Sequence, residues 1–306
     1  MQHTTVTFLG PAASFSHQAA VEFFGESAEL LPCVSFTDAF TAVQQGEADY
    51  AIIPCENSTN GSVVQTLDLL ADPNNLYEDV EVCGVHYLTV HHCLLARKGV
   101  FSSQRDYGSV AKLYTHPQAW GQCEGFLGRY FRGIERQDVS STSKAGEIVS
   151  KTKTEHSAAI ASRFAAEFHG LDVLEENIED KTDNTTRFLV LRNRNSDLTT
   201  PRPFGDLDDR REQWASTPTA RKTLISFMVR QDSPGALAEA LLIFKSHGMN
   251  LTSINSRPSQ NNNWQYVFLV ECQTANGLGD QGMDMEVLSH LQGVTETCRH
   301  LGTWSE

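Results

Sequence analysis

The feature that most constrains this chain is a rhythm. Across residues 1–193, short apolar runs lead again and again into stretches with helical spacing. Thr5–Leu9 reads as a strand and precedes a helical pattern over Phe15–Phe24. Tyr50–Pro54 precedes Ser62–Leu70, and Lys112–Thr115 precedes a helical segment from Pro117. Arg136–Val139 leads into a pattern from about Ser143, and Ala158–Ala161 into another. Strand-then-helix repetition predicts an α/β domain with largely parallel sheets. So long a run could form one large sheet or two lobes, and a linker-like crossing around Val82–Leu94 makes two lobes with a cleft between them a reasonable expectation.

The rhythm breaks between Arg194 and Arg221. That stretch holds Pro201, Pro203 and Pro218 with Asp206, Asp208, Asp209, Arg210 and Arg211, and few large apolar residues. It reads as a linker over 194–221. Residues 222–306 follow another order. Leu224–Val229 is strand-like, and Ser233-Pro234-Gly235 opens a helix with Leu237, Leu241 and Phe244 on one face. Gly248 ends that helix. Leu251–Arg257 and Gln265–Glu271 read as paired strands, with a helix near Met285–Leu291 and a last strand near Val294–Leu301. The predicted order is β-α-β-β-α-β, the ferredoxin-like arrangement.

Composition narrows the function. The 306 residues are 40% hydrophobic and 20% charged, as in soluble globular proteins. A formal net charge of −14 disfavours nucleic acid and anionic membranes as partners. An anionic metabolite would need a local site of backbone N–H groups and a few cations. No apolar run approaches the ~18 residues of a membrane span. The N-terminal stretch lacks the pattern of a signal peptide. The seven cysteines form no C-x-x-C pair, so reduced, mostly buried thiols in a cytoplasmic protein are expected. Metal-ligand spacing is absent, and neither metal nor cofactor is expected.

Four polar clusters end strands and open helices: Gly10–Ser16, Glu56–Gly61, Thr115–Gln118 and Ser140–Ser143. In open α/β sheets ligands bind at the carboxyl ends of strands, where free helix N–H groups favour anions. The plain alternative for each cluster is ordinary capping. A fifth segment, Asp183–Phe188, reads on spacing alone as a turn and strand with Arg187 in a structural salt bridge.

Taken together, FLGPAASFSHQA, PCENSTNGSV, LYTHPQAWGQC, SSTSKAGEIV and NTTRFLVL, in that order, resemble the prephenate dehydratase family. SPGALAEALLIFKSHGMNLTSINSRP resembles the ACT regulatory domain that follows the catalytic domain in that family. The resemblance implies a two-lobed catalytic domain, like a type II periplasmic binding protein, with the site between the lobes. It implies loss of water and carbon dioxide from prephenate, with Thr186 as the catalytic hydroxyl. Substrate contacts would come from Asn57, Ser58, Thr115, Gln118, Ser140, Ser141, Thr142, Arg187 and Phe188. Arg187 is either a counter-charge for a substrate carboxylate or an internal ion pair. His116 could serve as an acid, though a histidine before proline at a helix start is commonly structural. Effector contacts, with L-phenylalanine as ligand, would come from Gly235, Ala236, Leu237, Asn250, Leu251 and Arg257. A homodimer or homotetramer is implied as well.

The chain departs from the family pattern at three places. Ala13 stands where glycine is usual, Asn255 where glutamate is usual, and Ser143 where alanine or threonine is more usual. Two rival readings remain at this stage. Arogenate, the amino analogue, could be the substrate, or the chain could be a non-catalytic amino-acid or metabolite sensor.

Overall fold

The computed structural model describes residues 4–25, 27–101, 107–153, 156–197, 221–274 and 283–305. Most of the proline-bearing 194–221 segment lies outside the described residues. Among those described, no helix is long and apolar enough to cross a membrane.

The first lobe contains β1 (Thr5–Leu9), α1 (Phe15–Phe24), β2 (Glu29–Cys33), α2 (Phe36–Gln44), β3 (Tyr50–Asn57), β4 (Gly61–Ser62), α3 (Val64–Ala71) and β5 (Val80–Thr89). The second contains β6 (Cys93–Arg97), β7 (Lys112–Thr115), α4 (Pro117–Gln122), α5 (Glu124–Tyr130), β8 (Glu135–Asp138), α6 (Thr142–Lys151), β9 (Ser157–Ala161), α7 (Arg163–His169) and β10 (Leu171–Glu175). Strand β11 (Thr185–Asn193) then returns to the first lobe, giving the orders β2-β1-β3-β11-β5 and β8-β7-β9-β6-β10. Both lobes therefore share one plan. Three strands run parallel, and the strand arriving from the other lobe is inserted antiparallel beside the third. The sheets are mixed rather than largely parallel because that strand enters from the opposite direction.

Local chemistry sets the helix starts. Ser14, Ser35, Ser141 and Ser162 each accept a hydrogen bond from the first turn of α1, α2, α6 and α7. Ser35 and Asp38 complete a reciprocal capping box. Helices cover both faces of the first sheet, which is why β3 is apolar on both sides. Ala51 and Ile53 join one core, while Tyr50 and Ile52 join the other.

The Val82–Leu94 region is not a linker. It is most of β5, a three-residue crossing and the start of β6. The second crossing, residues 176–184, lies beside the first. Val90 N–H donates to Asn184 O (2.7 Å), and Ile178 N–H donates to His92 O (2.9 Å). The buried Glu179 carboxylate takes His91 Nδ1 at 2.7 Å and the His92 N–H at 2.8 Å. The two crossings are thus tied to each other by hydrogen bonds from both backbone and side chain.

The C-terminal unit is β12 (Arg221–Val229), α8 (Ala236–Ser246), β13 (Met249–Pro258), β14 (Tyr266–Thr274), α9 (Met283–Val294) and β15 (Thr295–Ser305). Its antiparallel order, β13-β14-β12-β15, is that of a ferredoxin-like sheet. Ile225, Phe227, Val270 and Cys272 face the two helices. Leu224, Leu269, Leu301 and Trp304 face the other way and share a core with Leu67, Leu70, Val80 and Val82 of the first lobe. Both faces of this sheet are thus covered. Arg257–Asp68 (2.5 Å) and Arg299–Asp72 (3.1 Å) add ion pairs across the seam. At Gly302 the approach is closest, since a β-carbon there would lie 2.0 Å from the Val82 carbonyl oxygen.

Candidate active site

The end of β3 and the start of β11 lie side by side, with Thr186 opposite Asn57 and Arg187 opposite Glu56. A bulge follows at Arg187/Phe188. Bulges re-aim side chains and recur beside functional sites. Asn57 Oδ1 accepts from the N–H groups of Thr59 (3.0 Å) and Asn60 (2.9 Å), which fixes the amide's orientation. Its Nδ2 is therefore turned toward β11 and donates to Thr186 Oγ1 at 2.9 Å. Thr186 Oγ1 is the acceptor in that bond, and among the described residues no acceptor takes its hydroxyl proton. The geometry leaves the O–H available to donate, and the Asn57 amide is placed to stabilise negative charge growing on the oxygen.

Ser58 is a clamp on the same corner. Its Oγ accepts from Thr185 N–H (2.9 Å), and its own N–H donates to Thr185 O (2.8 Å). Phe188 is in the first lobe's core at 1% exposure, packed with Phe8, Phe23 and Val190, so packing replaces the substrate contact expected of it.

Alternation along β11 separates Thr186 from Arg187. Phe188 and Val190 lie on the α1 side, while Leu189 and Leu191 lie on the side facing the C-terminal sheet. Arg187 shares the second side. Its Nη1 donates to Glu271 Oε2 at 2.5 Å and its Nη2 to Glu56 Oε2 at 3.1 Å. Of the two roles open to Arg187, the internal ion pair is the one the structure contains.

The second lobe's expected residues gather at strand ends and helix starts. The buried Thr115 hydroxyl donates to Ile160 O (2.7 Å), so it secures β9. His116 caps α4, its Nδ1 accepting from Gln118 N–H, and the Gln118 side chain is exposed. Burial lowers the His116 pKa from its ordinary value, which suits an uncharged cap better than an acid. Ser141 caps α6 by accepting from Lys144 N–H (3.0 Å). Ser140 is exposed beside it, and Thr142 is half-buried in the first turn.

The lobes meet at the β1–α1 loop. Ser143 Oγ donates to Ala12 O (2.6 Å), and His169 Nε2 lies 3.1 Å from Ser143 Oγ. His17 stacks on Phe8 with ring centres 4.7 Å apart and meets Phe164 edge-on. Its Nδ1 accepts from Ala13 N–H, so the ring is held uncharged, and burial lowers its pKa. Sequence reasoning gave His17 and Glu271 no role at the site, and took in Glu56 and Ser143 only as members of the polar clusters. For Glu271 a signal existed: a carboxylate within the apolar run Val267–Cys272 requires a buried partner.

The expected effector residues divide between the two ends of the C-terminal sheet. Gly235, with φ +87°, precedes α8, with buried Ala236 and half-buried Leu237 after it. They follow the end of β12, where Met228 pairs with Val267, and Val267 pairs with Arg257. Asn250 and Leu251 open β13 at the opposite end, roughly 20 Å from Arg257 at the ordinary strand rise. Arg257 Nε and Nη2 hold Asp68 of α3.

A model of a known family, described as prephenate dehydratase, matches residues 6–196. The chain belongs to the prephenate dehydratase family. It is 37% identical over 301 residues to a bifunctional chorismate mutase/prephenate dehydratase of Aquifex aeolicus, spanning 98% of this chain and 73% of that protein. A probable prephenate dehydratase of Saccharomyces cerevisiae is 35% identical over 88% of this chain and 87% of its own length. Among solved structures, the prephenate dehydratase of Arthrobacter aurescens in complex with L-Phe superposes with a TM-score of 0.80 at 28% identity. That match covers 99% of this chain and 90% of the other. Family membership gives the Thr186–Asn57 pair a chemical context.

Proposed function

We propose that this chain converts prephenate to phenylpyruvate, water and carbon dioxide, with Thr186 at the leaving oxygen. The observation that carries the reading is the Asn57–Thr186 hydrogen bond, in which the threonine accepts and keeps its own proton free. Prephenate is a dianion with a ring carboxylate and a hydroxyl at opposite ends of a cyclohexadiene. The bond to the carboxylate breaks, its electron pair moves through the ring, and the carbon–oxygen bond to the hydroxyl breaks. One proton is consumed in turning the departing hydroxide into water, and the ring becomes aromatic. Aromaticity supplies the driving force, so the protein's task is to hold one pose and ease the departure of oxygen. Thr186 delivers the hydrogen bond, and Asn57 Nδ2 stabilises the charge left on its oxygen. The N-termini of α1 and α6, at the carboxyl ends of parallel strands, suit the two carboxylates.

The purified chain is expected to form phenylpyruvate from prephenate. Thr186→Ala should lower kcat by about 10²–10⁴-fold, the range for loss of a proton donor, while Thr186→Ser keeps most of it. A parallel assay with arogenate decides between the two substrates. If neither ring compound is consumed, the reading fails.

L-Phenylalanine is the proposed effector. The Arthrobacter aurescens relative was crystallised with it, and Gly235 precedes a helix start suited to a carboxylate. Gly235–Leu237 and Asn250–Leu251 sit at opposite ends of one sheet, so a second copy lying antiparallel could join them into one site. A homodimer or homotetramer through the β13 side follows from that reading, and the free cysteines, most of them buried, suit the cytoplasm. Calorimetry with phenylalanine, tyrosine and tryptophan, and sedimentation with and without phenylalanine, test it. Absence of heat from all three argues for a purely structural C-terminal domain.

A further inference from the structure

The geometry points to Glu271, on β14 of the C-terminal sheet, as a positioning residue for the reaction that acts on Thr186 through Arg187. This rests on the reading of Thr186 given above. Glu271 is 3% exposed on the sheet face that packs against the first lobe. A carboxylate buried there demands partners, and it has three from two directions. Oε2 takes Arg187 Nη1 at 2.5 Å, and Oε1 takes Thr252 Oγ1 at 2.6 Å and Lys222 Nζ at 3.3 Å. Burial alone would raise its pKa. Arg187, Thr252 and Lys222 outweigh burial and hold it below its ordinary value, so the group stays ionised.

Arg187 carries this anchor to the reacting corner. Its second Nη donates to Glu56, the residue before Asn57, and Arg187 itself follows Thr186. Both halves of the Asn57–Thr186 pair are thus one residue away from a guanidinium that the C-terminal sheet holds. The bulge falls directly after Arg187, where the register of β11 against β3 is least fixed by backbone bonds. Arg187 Nε and Trp304 Nε1 are buried with no partner among the described residues, and both residues line a small cavity at this seam with Cys55, Ser62 and Asn255. The contact between sheet and lobe is thus looser here than along the Leu-rich core beside it.

A second tether repeats the pattern. Ser62 of β4, which pairs with Glu56, donates to Asn255 Oδ1 on β13 at 3.3 Å. Asn255 is the position where the family usually has glutamate. Strands β13 and β14 thus hold the β3–β4–β11 corner at two points. A shift of this sheet against the first lobe moves the catalytic hydroxyl, which gives an effector bound to the sheet a direct mechanical route to kcat.

The test compares Glu271→Gln and Glu271→Asp with Arg299→Gln. The last breaks the other buried seam ion pair, Arg299–Asp72, whose side-chain hydrogen bonds among the described residues go to each other, Leu76 and Tyr77 rather than to β11. Glu271→Gln is expected to lower kcat by about tenfold to hundredfold with KM nearly unchanged, as for a reacting group displaced by about 1 Å. Glu271→Asp should recover part of the loss, and Arg299→Gln should keep wild-type kcat. In an Arg187→Gln background, Glu271→Gln should add no further loss, because the two act as one unit. Amide hydrogen exchange over Thr185–Leu189 should quicken by at least about tenfold in Glu271→Gln and not in Arg299→Gln. That exchange readout needs no turnover, so an inactive wild type would sink the functional reading while leaving this one decidable. Wild-type kcat in Glu271→Gln, losses that multiply in the double variant, or equal exchange in the two single variants would each overturn the role of Glu271.

Discussion

At the residue scale, the consequence of the Asn57–Thr186 bond is directional. An amide N–H aimed at the threonine oxygen leaves the hydroxyl proton pointing elsewhere. Replacing the amide by a carboxylate reverses that preference, because a carboxylate accepts only. Asn57→Asp should therefore turn the Thr186 proton inward and lower kcat more than Asn57→Ala, although its side chain is nearly isosteric. Asn57→Ala itself should cost about 10²–10³ in kcat, the usual loss of one stabilising donor. Steady-state kinetics on prephenate measures both, and equal activity of the aspartate variant would rule out the orientation described. Thr186 and Asn57 were legible in the sequence because the family resemblance fell on them directly. For Arg187 an internal ion pair was one of two roles open from the sequence, but its partner was not legible: Arg187 lies on the opposite face of the strand from Thr186 and answers to a carboxylate 84 residues away. No local pattern specifies such a partner.

At the element scale, the β1–α1 loop shows how magnitudes decide a substitution. Ala13 has φ +63°, in the left-handed region, where a β-carbon costs roughly 1–2 kcal/mol. Glycine would remove that strain. It would also give up a methyl buried with Cys93, Leu95 and Tyr114, worth about 0.8 kcal/mol, and about 0.4–1 kcal/mol of backbone entropy. These terms nearly cancel, which explains how alanine is tolerated where the family usually has glycine. Ala13→Gly should change stability by less than about 1 kcal/mol in denaturant unfolding, and a larger shift in either direction would contradict this balance. Helices with clear caps, such as α1 and α6, were readable from sequence. Strand β2 was not, because its residues are mostly exposed and Pro32 interrupts the expected alternation. The crossing inside Val82–Leu94 was legible but its bounds were not, because a long strand and a buried crossing share the same apolar composition.

At the scale of the whole molecule, the two lobes touch through uncharged imidazoles. His17 lies against Phe164 of the second lobe, His92 in the crossing meets Phe15 edge-on, and His169, within the second lobe, holds the Ser143 hydroxyl that reaches Ala12 of the first. Burial is the leading cause that lowers the pKa of each from the ordinary 6.5. The sign follows directly. Below pH 6.5 the unfolded chain takes up protons that the folded one resists, so stability present above that pH is lost as pH falls through the lowered values. Thermal unfolding should show a lower Tm at pH ~5 than at pH ~7.5, and His17→Gln should flatten part of that dependence. A Tm that rises on acidification would refute it. The βαββαβ order was visible in the rhythm of the sequence, whereas the two-lobed plan came from the crossing and from the family resemblance. The covering of the C-terminal sheet by the first lobe was not, since strand alternation reveals a second apolar face without saying what fills it.

Gly302 gives the seam a consequence for grafting. Where this residue faces Val82 there is no room for a side chain, so a regulatory sheet transplanted from another enzyme would seat on this body only with glycine in the matching place of its last strand. Even Gly302→Ala should push the two backbones apart, lowering Tm and exposing β15 to proteolysis, at about 1–3 kcal/mol for the forced shift. A single hydrogen in place of a methyl sets which modules this catalytic body is able to accept.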